Sequence, residues 1–309
     1  RPAESAMMKT VAGLALVAFA SATPEMNILP NGDTKIKHFV VLLMENRPID
    51  HTFGCMAGEG IIALEGINGT HTFPADPDNE TAGVEKVTCG TANYVCEHGP
   101  PYSMWELKVK PGTEVDKYPY GEQDDKYSAL NGAKGNAIMM FNSTQLPIKT
   151  AVAENFAVFN HLHGAIPSFS EPNHLMWATA TSCNLATNPI AGCTANASTF
   201  DQPTIFDSLN QSGVSYKMYS NSSNGACAAE AGLKGVARHK HSCFDQGEFY
   251  KDAAAGTLPA YSFISPPGEA CDHPCHDIAK GERLLKDLYE ALRAGPGWKN
   301  TMFFVACEH

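Results

Sequence analysis

Residues Ile36-Lys37-His38-Phe39-Val40-Val41-Leu42-Leu43 form a nearly unbroken apolar, β-branched run that leads directly into Met44-Glu45-Asn46-Arg47. A continuous run, as opposed to strict alternation, marks a strand covered on both faces, as in a parallel sheet packed between helices. The remainder of the chain extends this pattern. Ile148 to Phe159 reads as a helix followed by a short strand, and Glu171 to Thr181 as a helix. Thr204 supplies an N-cap for a helix through Leu209 that stops near Gly213, and Val214 to Tyr219 follows as a strand. Tyr261 to Ile264 is a further short strand. Asp277 to Ala294 carries Leu284, Leu285, Leu288, Ala291 and Leu292 as an apolar stripe, ends at Gly295-Pro296-Gly297, and gives way to a buried strand over Thr301 to Ala306. Alternating strands and helices predict an α/β domain around a largely parallel sheet. Residues 58–135, richer in Gly, Pro, Asn and Asp, read as long loops with short elements.

In open α/β sheets, ligands sit beyond the carboxyl ends of the strands. Two predicted strands end in suitable groups. The first delivers Glu45 and Asn46; the second, at the end of the sequence, delivers Cys307, Glu308 and His309. Two carboxylates and a carboxamide oxygen could together hold a divalent cation. The alternative is that both clusters are solvated residues at strand ends.

Bulk properties narrow the partners. The 309 residues, 43% hydrophobic and 18% charged, suffice for one large domain. A net charge of -11 provides no basic field for nucleic acid, and argues against electrostatic adhesion to anionic membranes. Residues 1–22 read as upstream sequence and a signal peptide. Lys9 gives the basic region, Val11 to Ala20 an apolar run too short to span a bilayer, and Ala20-Ser21-Ala22 the cleavage pattern, so that Thr23 begins the mature domain. No other stretch approaches a transmembrane span. Ten cysteines, many close in sequence (Cys89/Cys96, Cys183/Cys193, Cys227/Cys243, Cys271/Cys275), read as disulfides clipping loops, with connectivity left open. Cys271 and Cys275, with His273 and His276 beside them, have the spacing of an alternative zinc site. Sequons at Asn68, Asn79, Asn142, Asn196, Asn210 and Asn221 agree with a secreted glycoprotein.

Three blocks carry a family resemblance. Ile36 to Gly54, with Glu45-Asn46-Arg47 and Asp50-His51-Thr52-Phe53-Gly54, resembles the opening signature of the phosphoesterase family that includes non-specific phospholipases C and related acid phosphatases. Ser170-Glu171-Pro172-Asn173-His174 resembles that family's T-x-P-N-R block, with His174 where Arg is usual. Asp272-His273-Pro274-Cys275-His276-Asp277, followed by Gly281-Glu282 and by Tyr289-Glu290-Ala291-Leu292-Arg293, resembles a third block, closest to the plant-type enzymes. The final Cys307-Glu308-His309 resembles a D-E-H segment with Cys307 in the place of a metal-binding Asp.

The resemblance implies an alkaline phosphatase-like three-layer sandwich over residues 23–309, incomplete at the C-terminus. It further implies a divalent metal ion held by Glu45, Asn46 and Glu308, a nucleophile at Ser170 just before a helix N-terminus, and His273 assisting the leaving group. Asn173 and His276 are the implied substrate contacts, with Asp277, Cys307 and His309 in supporting places. A thiolate at Cys307 would suit Zn²⁺ better than Mg²⁺ or Ca²⁺; alternatively Cys307 pairs with Cys55. The implied substrate is a phospholipid or another phosphate ester. Phospholipase C action leads; acid phosphatase action and a catalytically silent secreted glycoprotein of the same fold are the alternatives.

Overall fold

The apolar run at residues 36–43 becomes strand β1 (His38–Met44), whose side chains alternate between two cores. The computed structural model describes residues 35–74, 81, 83–95, 138–166, 169–182, 201–220 and 238–308. The chain divides into Arg1–Lys35 and Ile36–His309, and all the elements named here belong to the second unit. The expected leader and cleavage site, and His309, lie outside the described residues.

After β1, a helical turn over Asp50–Gly54 runs into the short α1 (Cys55–Gly58). A Cβ on Gly54 would lie 2.0 Å from the Ile67 carbonyl oxygen, so this motif position must be glycine for the two segments to close on each other. Next come β2 (Thr72–Pro74), β3 (Val84–Lys86), β4 (Thr88–Cys89) and β5 (Met139–Met140), which form two small two-stranded sheets. Cys55 is bridged to Cys89, 34 residues away, and this overturns both the alternative pairing of Cys55 with Cys307 and the expected local bridge of Cys89 to Cys96. Cys271 and Cys275 are not disulfide-bonded, so the expected local bridge between them is absent; Cys271 is buried with its sulfur 3.4 Å from Nδ1 of His276. Cys243 is disulfide-bonded. Cys96, Cys183, Cys193 and Cys227 lie outside the described residues.

The chain then forms α2 (Pro147–Asn155), α3 (Ser170–Thr179), α4 (Ile205–Gln211), β6 (Tyr216–Ser220), β7 (Cys243–Asp245), α5 (Gln246–Ala255), β8 (Tyr261–Ile264), α6 (Ile278–Ala294) and β9 (Thr301–Cys307). The strand expected after α2 does not form. Phe156 and Phe159 are exposed and pack edge-on against Tyr289 and Phe304 instead. Thr204 caps α4 as read from sequence, through a reciprocal pair with Asp207.

Five strands make one all-parallel sheet in the order β7-β6-β8-β1-β9. On one face Val41 and Leu43 meet Leu175 and Ala178 of α3 and Phe206 of α4. On the other, Val40, Leu42 and Met44 meet Phe249 of α5 and Leu284, Leu285, Leu288 and Leu292 of α6, with Ile148 and Val152 of α2 beside them. The result is a three-layer α/β/α sandwich with β1 second from the edge, consistent with the alkaline phosphatase-like class.

Two polar anchors lock the layers. Lys217 of β6 and the Tyr219 hydroxyl both donate to one oxygen of buried Asp252 on α5, at 2.6 and 2.8 Å, and Thr257 donates to the other at 2.9 Å. Burial alone would raise the Asp252 pKa, but these donors outweigh it and hold the carboxyl below its usual range. Its contribution is therefore present above the ordinary carboxylate range and is lost as pH falls through and below it. Asp252→Ala is expected to cost about 3 kcal/mol in urea unfolding at neutral pH, because it removes one partner of a largely buried pair.

The second anchor explains the Gly281-Glu282 pair. The Glu282 carboxylate accepts the N–H groups of Ile148 and Lys149, both at 2.8 Å, and so caps α2 from across the core. Lys149 in turn reaches Asp272 at 3.0 Å. A Cβ on Gly281 would lie 1.7 Å from Oδ1 of Asp272. Gly281→Ala should therefore push the Asp272 loop outward and cost about 2 kcal/mol, read as a lowered melting temperature.

Candidate metal centre and active site

Parallel pairing of β1 and β9 places Met44 beside Cys307, so the residues that follow each strand emerge together at the carboxyl edge of the sheet. Glu45 and Glu308 are those residues. The chain turns sharply at Asn46, whose φ of 51° is the left-handed region that Asn tolerates better than most residues. This turn points the Asn46 backbone N–H at Oε2 of Glu308, 3.0 Å away. It also brings the Asn46 carboxamide to Ser170, with Oγ 3.0 Å from Nδ2 and 3.2 Å from Oδ1. Four of the sequence-predicted residues thus converge: Glu45, Asn46, Ser170 and Glu308.

Ser170 is the first residue of α3, and not the residue before it as expected; Phe169 is the N-cap and Pro172 falls two positions in. The hydroxyl is consequently held on the helix itself. Asn173, expected from the sequence as a substrate contact, is instead fully buried, and its carboxamide exchanges hydrogen bonds with the Ile166 N–H and C=O. It also donates to the Phe169 carbonyl at 3.1 Å, so it fixes the loop that leads to Ser170.

One turn after Ser170, on the same helix face, lies His174. Its Nε2 is 3.6 Å from Oε1 of Glu45. Ligand-capable atoms of Glu45, His174 and Glu308 all lie within 4.8 Å of one another. In the sequence His174 stands only where the resemblance expects an arginine; its spacing of four residues from Ser170 is the signal that it shares the site. Among the described residues, this is the group of acidic, His or Cys side chains that converges in this way. The zinc alternative at Cys271, His273, Cys275 and His276 gathers no comparable set.

The electrostatics of the group favour a cation. Glu308 is 1% exposed. Burial, and then the neighbouring Glu45 charge, push its carboxyl up to about 7, against smaller opposing effects of His174 and the Asn46 N–H. Two crowded carboxylates with an imidazole beside them form a donor set that fits a divalent ion, which would neutralise the repulsion between them. Because such an ion requires the ionised carboxylate, its apparent affinity is expected to fall as pH drops below about 7.

The surrounding residues brace this edge. The Cys307 sulfur accepts the Arg47 N–H at 3.2 Å and lies 3.6 Å from Oε2 of Glu308, adjacent to the converging group but not one of its three members. The Glu45 N–H donates to the Cys271 carbonyl at 2.7 Å, and Arg47 Nε donates to the Asp272 carbonyl at 2.8 Å. These two bonds tie the loop bearing His273 and His276 to the Glu45 turn. His273 Nδ1 contacts the Pro274 carbonyl, and the His273 and His276 rings lie 5.6 Å apart, both half-buried. Asp277 caps α6 by accepting the Ala279 N–H at 2.9 Å.

Comparison with known proteins places this geometry. The Phosphoesterase family profile matches residues 36–308, which takes in every residue of the site described above. Non-specific phospholipase C1 of Arabidopsis thaliana is 28% identical over 294 residues, covering 87% of this chain and 51% of the relative. Non-hemolytic phospholipase C of Burkholderia pseudomallei is 23% identical, covering 87% and 43%, and Phospholipase C A of Mycobacterium tuberculosis is 22% identical, covering 90% and 58%. The chain spans about half the length of the curated relatives it matches. With an α/β sandwich, convergent carboxylates at the strand ends and a match running from the first strand to Glu308, the chain belongs to the Phosphoesterase family.

Proposed function

We propose that this protein hydrolyses phosphate esters, with phospholipase C-type cleavage of phospholipids as its leading activity, through Ser170 as nucleophile. The observation that carries this reading is the Ser170 hydroxyl, hydrogen-bonded to Asn46 at the edge of the Glu45, His174 and Glu308 cluster. A divalent ion bound by Glu45, Asn46 and Glu308 would supply Lewis-acid chemistry, favouring an ionised hydroxyl and neutralising phosphate charge.

The protein's own residues do the rest. Asn46 orients Ser170 Oγ. That oxygen attacks phosphorus, the bond from phosphorus to the leaving oxygen breaks, and His273 delivers a proton to the departing alkoxide. Water then attacks the phosphoserine, releasing the phosphorylated product and restoring the serine hydroxyl. The start of α3 supports an anionic group at Ser170, since helix N-termini favour negative charge. Asn173 serves as the anchor of this start, and His276 as a substrate contact in the His273 loop.

The names of the relatives support a phospholipid substrate, and the half-length match makes the comparison of substrates the decisive experiment. With Zn²⁺ or Mg²⁺ supplied, release of phosphorylated head group from phosphatidylcholine should exceed release of phosphate from a simple aryl phosphate. The reverse order would establish the acid phosphatase reading, and activity on neither would leave a catalytically silent member of the fold. Export as a glycoprotein belongs to the same proposal, supported by the leader pattern, the sequons and the Cys55–Cys89 bridge.

A further inference from the structure

The donor set differs in chemistry from one made of oxygen alone. His174 sits one helical turn from Ser170 and is 8% exposed. The helix that carries it is pinned at its start by Asn173, so the imidazole is delivered from a rigid element. Nε2 stands 3.6 Å from Oε1 of Glu45. Two ligands of a tetrahedral ion at Zn–N and Zn–O distances of about 2.0–2.1 Å lie roughly 3.4 Å from each other, so little movement is needed for both to bind one ion. Glu308 lies within 4.8 Å of both. The residue before Glu308, Cys307, holds its sulfur against the Arg47 N–H beside the cluster.

We propose that His174 is itself a ligand of the metal, and that the Glu45, His174 and Glu308 set selects a borderline ion of the Zn²⁺ class over Mg²⁺ and Ca²⁺. This inference rests on the reading of the cluster as a metal centre and adds to it the identity of one ligand and the class of ion. Imidazole suits zinc and its neighbours in the first transition row, whereas Mg²⁺ and Ca²⁺ favour all-oxygen shells of six or more donors. With Asn46 the ion would have four protein donors, so a substrate oxygen or Ser170 would enter as a fifth, an expansion that catalytic zinc sites allow.

The test is metal binding by the purified, intact chain, with no activity readout. Zn²⁺ and Mg²⁺ affinities are measured by competition with chromophoric chelators for the wild type, His174→Gln and Glu45→Gln, and X-ray absorption is recorded on the Zn²⁺-loaded wild type. The expected result is one Zn²⁺ per chain, imidazole scattering in the absorption spectrum, and Zn²⁺ binding weakened about 100-fold in His174→Gln with Mg²⁺ binding changed by less than about threefold. An all-oxygen spectrum, a His174→Gln affinity for Zn²⁺ within about threefold of wild type, or tighter Mg²⁺ than Zn²⁺ binding overturns the inference. If Glu45→Gln still weakens binding in those cases, the metal centre itself stands. A wild-type chain that retains no divalent ion overturns both. The spectrum decides the matter on unaltered protein if His174→Gln does not fold.

Discussion

Replacing Ser170 with alanine is expected to lower phosphate-ester hydrolysis on the order of 10³-fold or more while leaving the metal bound and the fold intact. Among the described residues the hydroxyl is hydrogen-bonded to Asn46 alone, so its loss costs about 1 kcal/mol of stability. Ser170→Thr keeps a hydroxyl at the same helix position and should retain measurable turnover. Steady-state rates for the three proteins, each checked for metal content, separate a nucleophile from a helix-start residue. If Ser170→Ala turns over within tenfold of wild type, Ser170 is not the nucleophile.

The second large effect concerns Glu308. Its folded carboxyl titrates near 7, above an ordinary value of 4.5. The folded chain thus holds this proton more tightly than the unfolded chain does. Its contribution to stability is fully present below about 4.5 and is lost as pH rises through about 7, a change of about 3 kcal/mol. Metal-stripped protein should therefore lose melting temperature between pH 5 and pH 7.5, and Glu308→Gln should flatten that slope. Saturating Zn²⁺ should reverse it, since the ion binds the ionised, folded form. A melting temperature that is independent of pH in the stripped protein would show that Glu308 does not carry the buried proton.

The elements that could be read from sequence were those whose own pattern decides their conformation. The run at 36–43 and the stripe on α6 carry enough apolar side chains to specify a doubly covered strand and a one-sided helix. β7 and α5 escaped because β7 is three residues long and α5 buries little beyond Phe249 and Ala253 as apolar groups. Their stability comes from contacts with β6, including Asp252, that only the assembled sheet supplies. Phe156 to Phe159 misled in the opposite sense. Its apolar residues pack on neighbouring rings with no strand to pair with, so hydrophobicity was a true signal of contact and a false one of strand.

In the site, Glu45, Asn46 and Ser170 were legible because a motif names them. The contribution of His174 was hidden because the same motif presents it as a missing arginine, and its meaning depends on the distance to Glu45 across two elements. Cysteine spacing misled for a related reason. Cys55 and Cys89 are far apart in sequence and meet beside the small core that Cys55 forms with Ile67, Val87, Ile138 and Met140, whereas Cys271 and Cys275 are close in sequence and are not bridged.

β1 and β9 are each seven residues long and finish level with each other, Met44 opposite Cys307. Strand side chains alternate between faces, so one inserted or deleted residue in either strand would turn its tip to the opposite layer. Glu45 and Glu308 could then no longer meet. These two segments should accept many exchanges of one apolar residue for another across evolutionary time, and almost no change in length.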